Sequence, residues 1–324
     1  MLNEIPKLFG KNFVVGFLLP GFAFCLAATL TTNVLHLTLP GWDSITKDLA
    51  TLGGMAALFS WLVGTILVAF NRFIYRLFEG YIGIASWSVL KRIETYRFEA
   101  THTAVKALAE AYERQGEQFT DEQQRTWSAL NLKLAEQFPD SERFLLPTSL
   151  GNRIRAFEVY PRVMYGLDGI PGWSRLVCIL PKDYAEVIET AKTGADLWLN
   201  LSVLSLLLAD AAALLCAYHG YVREVWLPTS GLLLSILFYY FALGATSEWG
   251  QTVKAAFDVF LPALSEKLGY ETEPLVGDEA RRWAGISEAI IYRDPSRLSS
   301  PRGKKQVKKT YRLKPPCGCC RFGS

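Results

Sequence analysis

LGGMAALFSWLVGTILVAF, residues 52–70, is a stretch of apolar and small residues without a single charge. As a helix rising 1.5 Å per residue it would be about 28 Å long, close to the ~30 Å hydrocarbon core of a bilayer. Three further runs read the same way. The chain carries no charge between Lys11 and Asp43, and the densest part is Phe13–Leu30. Leu197–Val222 is apolar apart from Asp210, and Val225–Ser247 is again free of charge. Four membrane helices are expected. The first contains Pro20-Gly21 and stays uncharged longer than a cleaved leader's core, so it reads as a retained span.

The whole composition agrees with that reading. Of 324 residues, 50% are hydrophobic and 13% aromatic, yet 20% are charged. The mean hydropathy of +0.16 suits a few spans carrying a polar part. The net charge of +3 conceals a contrast: nine Lys/Arg and no acid follow from Arg297 onward, whereas residues 1–296 carry 25 Lys/Arg against 31 Asp/Glu.

Basic residues near span ends mark the cytoplasmic side. Lys7 and Lys11 precede the first run, and Arg72, Arg76, Lys91 and Arg92 follow the second. The loop 37–51 holds only Lys47, beside Asp43 and Asp48. Both termini and the segment 72–195 are therefore expected inside a bacterial inner membrane, with two short turns outside. The expected organisation is all-α: a membrane hairpin over 1–71, a helical cytoplasmic insertion over 72–195, a second hairpin over 196–247, cytoplasmic helices over 248–295 and a basic disordered tail over 296–324.

Within the insertion, Phe73–Leu90 is amphipathic and is expected to prolong the second span or lie along the interface. Ala104, Leu108 and Ala111 recur at helical spacing, a break is expected near Gly116, and Thr120 with Gln123 forms a capping box for the next helix. Leu150, Ile154 and Phe157 share one side of a short helix that Thr148 or Ser149 can cap and that Pro161 is expected to limit. Pro181 and Asp183 open a helix that merges with the third span. After the fourth, Val253, Ala256, Phe257, Phe260 and Leu264 line one side, and Asp278 can cap a last helix with Trp283, Ile286 and Ile290 on its face.

Three patches, FVVGFLLPGF (13–22), LLPTSLGNRIRAFEVYPRVMYGLDGIPGWSRL (145–176) and VKAAFDVF (253–260), resemble a family of uncharacterised bacterial multi-pass membrane proteins. The resemblance implies the membrane architecture and brings no activity or catalytic residues.

The candidate functional residues are few. Asp210 lies mid-span, where a charge is costly unless it faces protein or water. It reads either as part of an ion pathway or as a helix contact, with Ser205, Tyr218 or a polar residue of the fourth span as partner. Arg153, Arg155, Glu158, Tyr160, Arg162, Tyr165 and Asp168 form a cluster that suits either an anionic ligand, held by arginine forks and tyrosine rings, or salt bridges docking a loop. VMYGLDGIPGWSRLVCILP (163–181) reads as an interfacial or a packed loop. Lys304, Lys305, Lys308 and Lys309 in the tail can meet anionic lipid headgroups; nucleic acid is not expected as a partner. Cys317, Cys319 and Cys320 lack a fourth ligand for a zinc site, and His36, His102 and His219 are scattered. No glycine-rich phosphate loop, carboxylate pair or Ser/His/Asp pattern occurs, so no enzyme activity, metal or cofactor is expected. The expected function is a membrane protein whose cytoplasmic helices couple to spans that assemble as a homo-oligomer, a pore-forming or membrane-perturbing effector. The rivals are a channel or transporter using Asp210 and a membrane-anchored scaffold.

Overall fold

The computed structural model describes residues 10–36, 49–83, 87–268 and 278–293. The basic tail with Lys304, Lys305, Lys308, Lys309 and its three cysteines lies outside the described residues, as do Lys7 and most of the loop 37–51. Among the described residues every regular element is helical and none is a strand.

Helix α1 covers Lys11–Val34. It holds a π-helical turn at Val14–Leu18, where the Leu19 N–H reaches back to the Val14 carbonyl. Pro20 brings no N–H to this turn. The carbonyl of Gly16, four residues earlier, instead accepts from Asn200 Nδ2 at 2.8 Å. A neighbouring helix thus satisfies backbone that a proline would leave bare in lipid.

Helix α2, Leu49–Phe78, packs on α1 at a close crossing. A Cβ on Gly21 would lie 2.7 Å from the Ser60 carbonyl oxygen, and one on Gly64 3.3 Å from the Leu18 Cα. Only glycine permits that approach. Past α2 the chain turns through Gly80 at φ +86°. The expected amphipathic stretch 73–90 is therefore split: its first part closes α2, and its end opens α3, Trp87–Gln115.

Helix α4, Asp121–Gln137, starts at the predicted capping box: the Thr120 hydroxyl accepts from the Gln123 N–H while the Gln123 side chain accepts from the Thr120 N–H. Phe98, Phe138 and Leu145 make a small core beside α3 and α4. Helix α5, Ser149–Tyr165, is capped by Thr148, which accepts from the Gly151 N–H. Buried Glu94 ties α3 to α5, accepting from Arg97 at 2.6 Å, Ser149 at 2.7 Å and Asn152 at 3.0 Å. The expectation that Pro161 limits α5 is corrected. The helix runs through it to Tyr165 and stops at Gly166, at φ +78°. Pro161 is almost completely buried, and that packing offsets the cost of about 3 kcal/mol for a proline inside a helix.

Helix α6 covers Gly169–Leu176, α7 Lys182–His219, α8 Trp226–Leu268 and α9 Asp278–Tyr292. Residues of α7 and α8 pair in reverse order: Tyr184 with Thr252, Trp198 with Phe241, Ser202 with Ser235, Ala209 with Gly231. Both helices run on without a break beyond their apolar runs, so the boundaries expected at 195/196 and 247/248 fall inside continuous helices. Trp283 and Ile286 of α9 join the main core with Leu150, Ile154, Phe157 and Phe257.

Four helices among the described residues are long and apolar enough to cross a membrane: Lys11–Val34, Gly53–Phe78, Lys182–His219 and Val222–Leu268. Their outward faces are apolar, with Leu58, Phe59, Leu62 and Ile66 exposed on α2, Leu207 and Leu214 on α7, and Leu233 and Leu237 on α8. Large apolar side chains so exposed in water would be a liability. In lipid they are the expected surface, and they mark the chain as a membrane protein.

Candidate functional site

A cavity of about 600 Å³ opens where α2, α5, α6, α7 and α8 converge. It lies at the level where the apolar runs give way to charge. Helix α2 contributes Asn71, Arg72 and Tyr75 from its last turns, with Glu79 just past its end; the spacing of 71, 75 and 79 puts them on one face. Helix α8 contributes Trp249, Val253 and Phe257 at the same i, i+4, i+8 spacing. Helix α5 adds Ile154, Phe157 and Glu158, α6 adds Ile170 and Trp173, and α7 adds Lys192.

The walls are aromatic. Trp249 meets Tyr75 edge to face at 6.2 Å between ring centres and Phe157 at 5.0 Å. Gly250 allows this: a Cβ there would come within 2.6 Å of the Phe157 ring. The Tyr75 hydroxyl is buried beside the Asp196 carboxylate.

The ionic groups fall into committed and uncommitted sets. Lys192 Nζ donates to both carboxylate oxygens of Asp196, at 2.7 and 3.0 Å, and Asn71 adds a bond to Asp196 at 3.3 Å. The Lys192 ammonium also sits 5.3 Å from the Tyr75 ring centre. Glu158 is paired with Arg155 at 3.0 Å, and Arg155 also donates to the Tyr81 hydroxyl. Burial pushes the Glu158 carboxyl up, against the opposing pull of Arg155. Glu79 has neither an ion pair nor a side-chain hydrogen bond among the described residues. Burial, and then the charge of Glu158, hold its carboxyl up at about 7, although Arg155 and Arg76 act the other way. Arg72 is exposed at the rim and likewise unpaired among the described residues.

The cluster expected from sequence does not come together as one site. Glu158 lines the cavity and Arg155 backs it. Arg153 turns to α8 and donates to Ser247 Oγ. Tyr160 and Tyr165 both donate to Asp258 Oδ1, at 2.9 and 2.7 Å, joining α5 to α8. Burial and then Asp258 push the Tyr160 hydroxyl up to about 12. Arg162 lies over the Phe144 ring at 6.0 Å. Asp168 caps α6, accepting from the Ile170 N–H at 3.3 Å. The segment 163–181 is helical over α6 and packed by Leu167 and Leu176, both buried.

Asp210 is exposed on the outer side of α7, and no side chain among the described residues, Ser205 and Tyr218 included, bonds to it. The cavity residues Tyr75, Glu79, Lys192 and Trp249 escape a reading of the sequence because they come from three separated elements; the available signal was the shared face of Asn71, Tyr75 and Glu79. Comparison of the chain with protein-family models, curated proteins and solved structures gives no match.

Proposed function

We propose that this is a four-span integral membrane protein in two hairpins, α1 with α2 and α7 with α8, whose remaining helices form a cytoplasmic domain that senses a ligand and passes the change to the spans. The observation that carries the reading is the cavity: helices of the apolar runs and of the polar part wall it jointly. An occupant there would touch α7 and α8, which extend rigidly from the cavity through the apolar region, so a small tilt at one end would move the other. The activity is non-enzymatic, and the spans assemble as a homo-oligomer that perturbs or permeates a bacterial inner membrane. The basic tail would hold the cytoplasmic face to anionic lipid.

Topology is tested by thiol labelling. Cys178 is exposed in the proposed cytoplasmic domain, and Val222 is 81% exposed at the proposed outer turn. With all other cysteines changed to serine, a membrane-impermeant maleimide should reach Cys178 only from the cytoplasmic side and a Val222→Cys variant only from outside. Labelling of both from the same side would overturn the arrangement.

A second reading, ion movement through Asp210, draws on its exposure in mid-run. Because Asp210 faces away from its own chain's core, such a path would need a second copy.

A further inference from the structure

Two charges face the cavity without a partner of their own, Arg72 at the rim and Glu79 further along the same helix face. The other ionic groups of the lining are neutralised from behind, Lys192 by Asp196 and Glu158 by Arg155. Seven residues, almost two helical turns, separate Arg72 from Glu79, about 10 Å along the axis. Between them stand Tyr75, whose buried hydroxyl lies beside Asp196, and the rings of Trp249, Phe157 and Trp173. A site with one free cation, one carboxyl without an ion pair and aromatic walls is matched to a ligand that carries both an anion and an ammonium group. Arginine favours phosphate, and carboxylates beside aromatic faces favour ammonium. The position adds the rest of the ligand. Val68 lines the cavity one turn into the apolar run and is itself exposed, and Trp61, seven residues earlier on the same helix face, is exposed deeper in that run.

We infer that the cavity binds an amine-bearing phosphodiester headgroup of the phosphoethanolamine type, with phosphate at Arg72, ammonium toward Glu79 and apolar tails leaving past Val68. The inference rests on the membrane reading above and deepens it by naming the occupant of the cavity. Anionic lipids without the amine satisfy Arg72 alone.

The test uses the full chain in mild detergent, with native mass spectrometry of bound lipid. Phosphatidylethanolamine and phosphatidylglycerol of identical chains are the probes, and O-phosphoethanolamine is the soluble competitor. The wild type should retain phosphatidylethanolamine over phosphatidylglycerol. Arg72→Ala should lower binding of both about tenfold, the weight of one charge-assisted contact. Glu79→Gln should keep phosphatidylglycerol binding and lose the preference for the amine. Arg125→Ala, on the exposed face of α4, should change nothing. Displacement by O-phosphoethanolamine would support the same headgroup chemistry from a soluble source, whereas its failure to compete would support a lipid held also by its chains. Equal retention of the two lipids by the wild type, or wild-type selectivity in folded Glu79→Gln, would overturn the inference. Thiol labelling reads out topology separately, so a wrong sidedness and a wrong ligand give different results.

Discussion

Glu79 shows how one residue's surroundings set a measurable property of the protein. Its carboxyl is held at about 7 in the folded chain, against an ordinary 4.5, because burial and the neighbouring Glu158 both disfavour the charge. The folded state therefore holds a proton that the unfolded state has already released. Stability from this group is fully present below about pH 4.5 and is lost as pH rises through 7. Glu158, also pushed up, acts in the same direction, while Arg155 opposes both and Arg76 opposes the shift of Glu79. The carboxyl still meets solvent through the open cavity, so the loss is discounted to about 1 kcal/mol. Thermal unfolding in detergent at pH 5 and pH 8 should show the wild type losing stability on the way up. Glu79→Gln, neutral throughout, should lose less. An identical drop in both proteins would mean that the Glu79 carboxyl releases its proton at the same pH in the folded and the unfolded chain.

Between elements, two kinds of contact hold the apolar helices, and they differ in size. Ser202 and Ser235 exchange hydrogen bonds with each other's backbone carbonyls across α7 and α8, both at 2.9 Å. Such bonds inside a membrane contribute about 0.6 kcal/mol each. The α1–α2 crossing depends instead on the absence of a side chain at Gly21, 2.7 Å from a backbone oxygen that cannot step aside. Ser235→Ala should thus lower the melting temperature slightly, and Gly21→Leu should lower it far more, since the two helices must separate. The reverse order would contradict a crossing set by small residues. At this scale much was legible in the sequence. Uncharged runs announce membrane helices, and Thr120 with Gln123 announces a helix start, because both signals are local. Pro161 misleads because its burial, a tertiary property, outweighs its local preference. The cavity was legible only in fragments. Val253 and Phe257 declare a buried face, but nothing near Glu79 tells that Lys192 and Trp249 will arrive beside it from other helices. The proposed arginine–tyrosine cluster, in turn, is contiguous in sequence yet divided among contacts to α6 and α8, the Phe144 ring and the cavity, since successive residues of a helix point in different directions.

For the whole molecule the unresolved charge is Asp210. It stands in the middle of the run Leu197–Val222, and on the outer side of α7 it has Leu206, Leu207 and Leu214 exposed around it. A carboxylate facing lipid at mid-depth costs at least about 3 kcal/mol. No side chain among the described residues offsets that cost, and a second copy is the partner that the proposed homo-oligomer would supply. About a two-fold axis the same face of α7 meets itself, placing two Asp210 side chains opposite each other and away from lipid. Asp210→Asn keeps a hydrogen-bonding pair and should keep the oligomer in mild detergent. Asp210→Leu removes the cost of facing lipid and should raise the monomer fraction, measured by light scattering on the eluting complex. Ion flux in liposomes separates assembly from transport: if Asp210 carries a path, the Asn variant stays oligomeric and loses flux. An oligomer unchanged in the Leu variant would place the subunit contact on another face and leave Asp210 facing a water-filled passage.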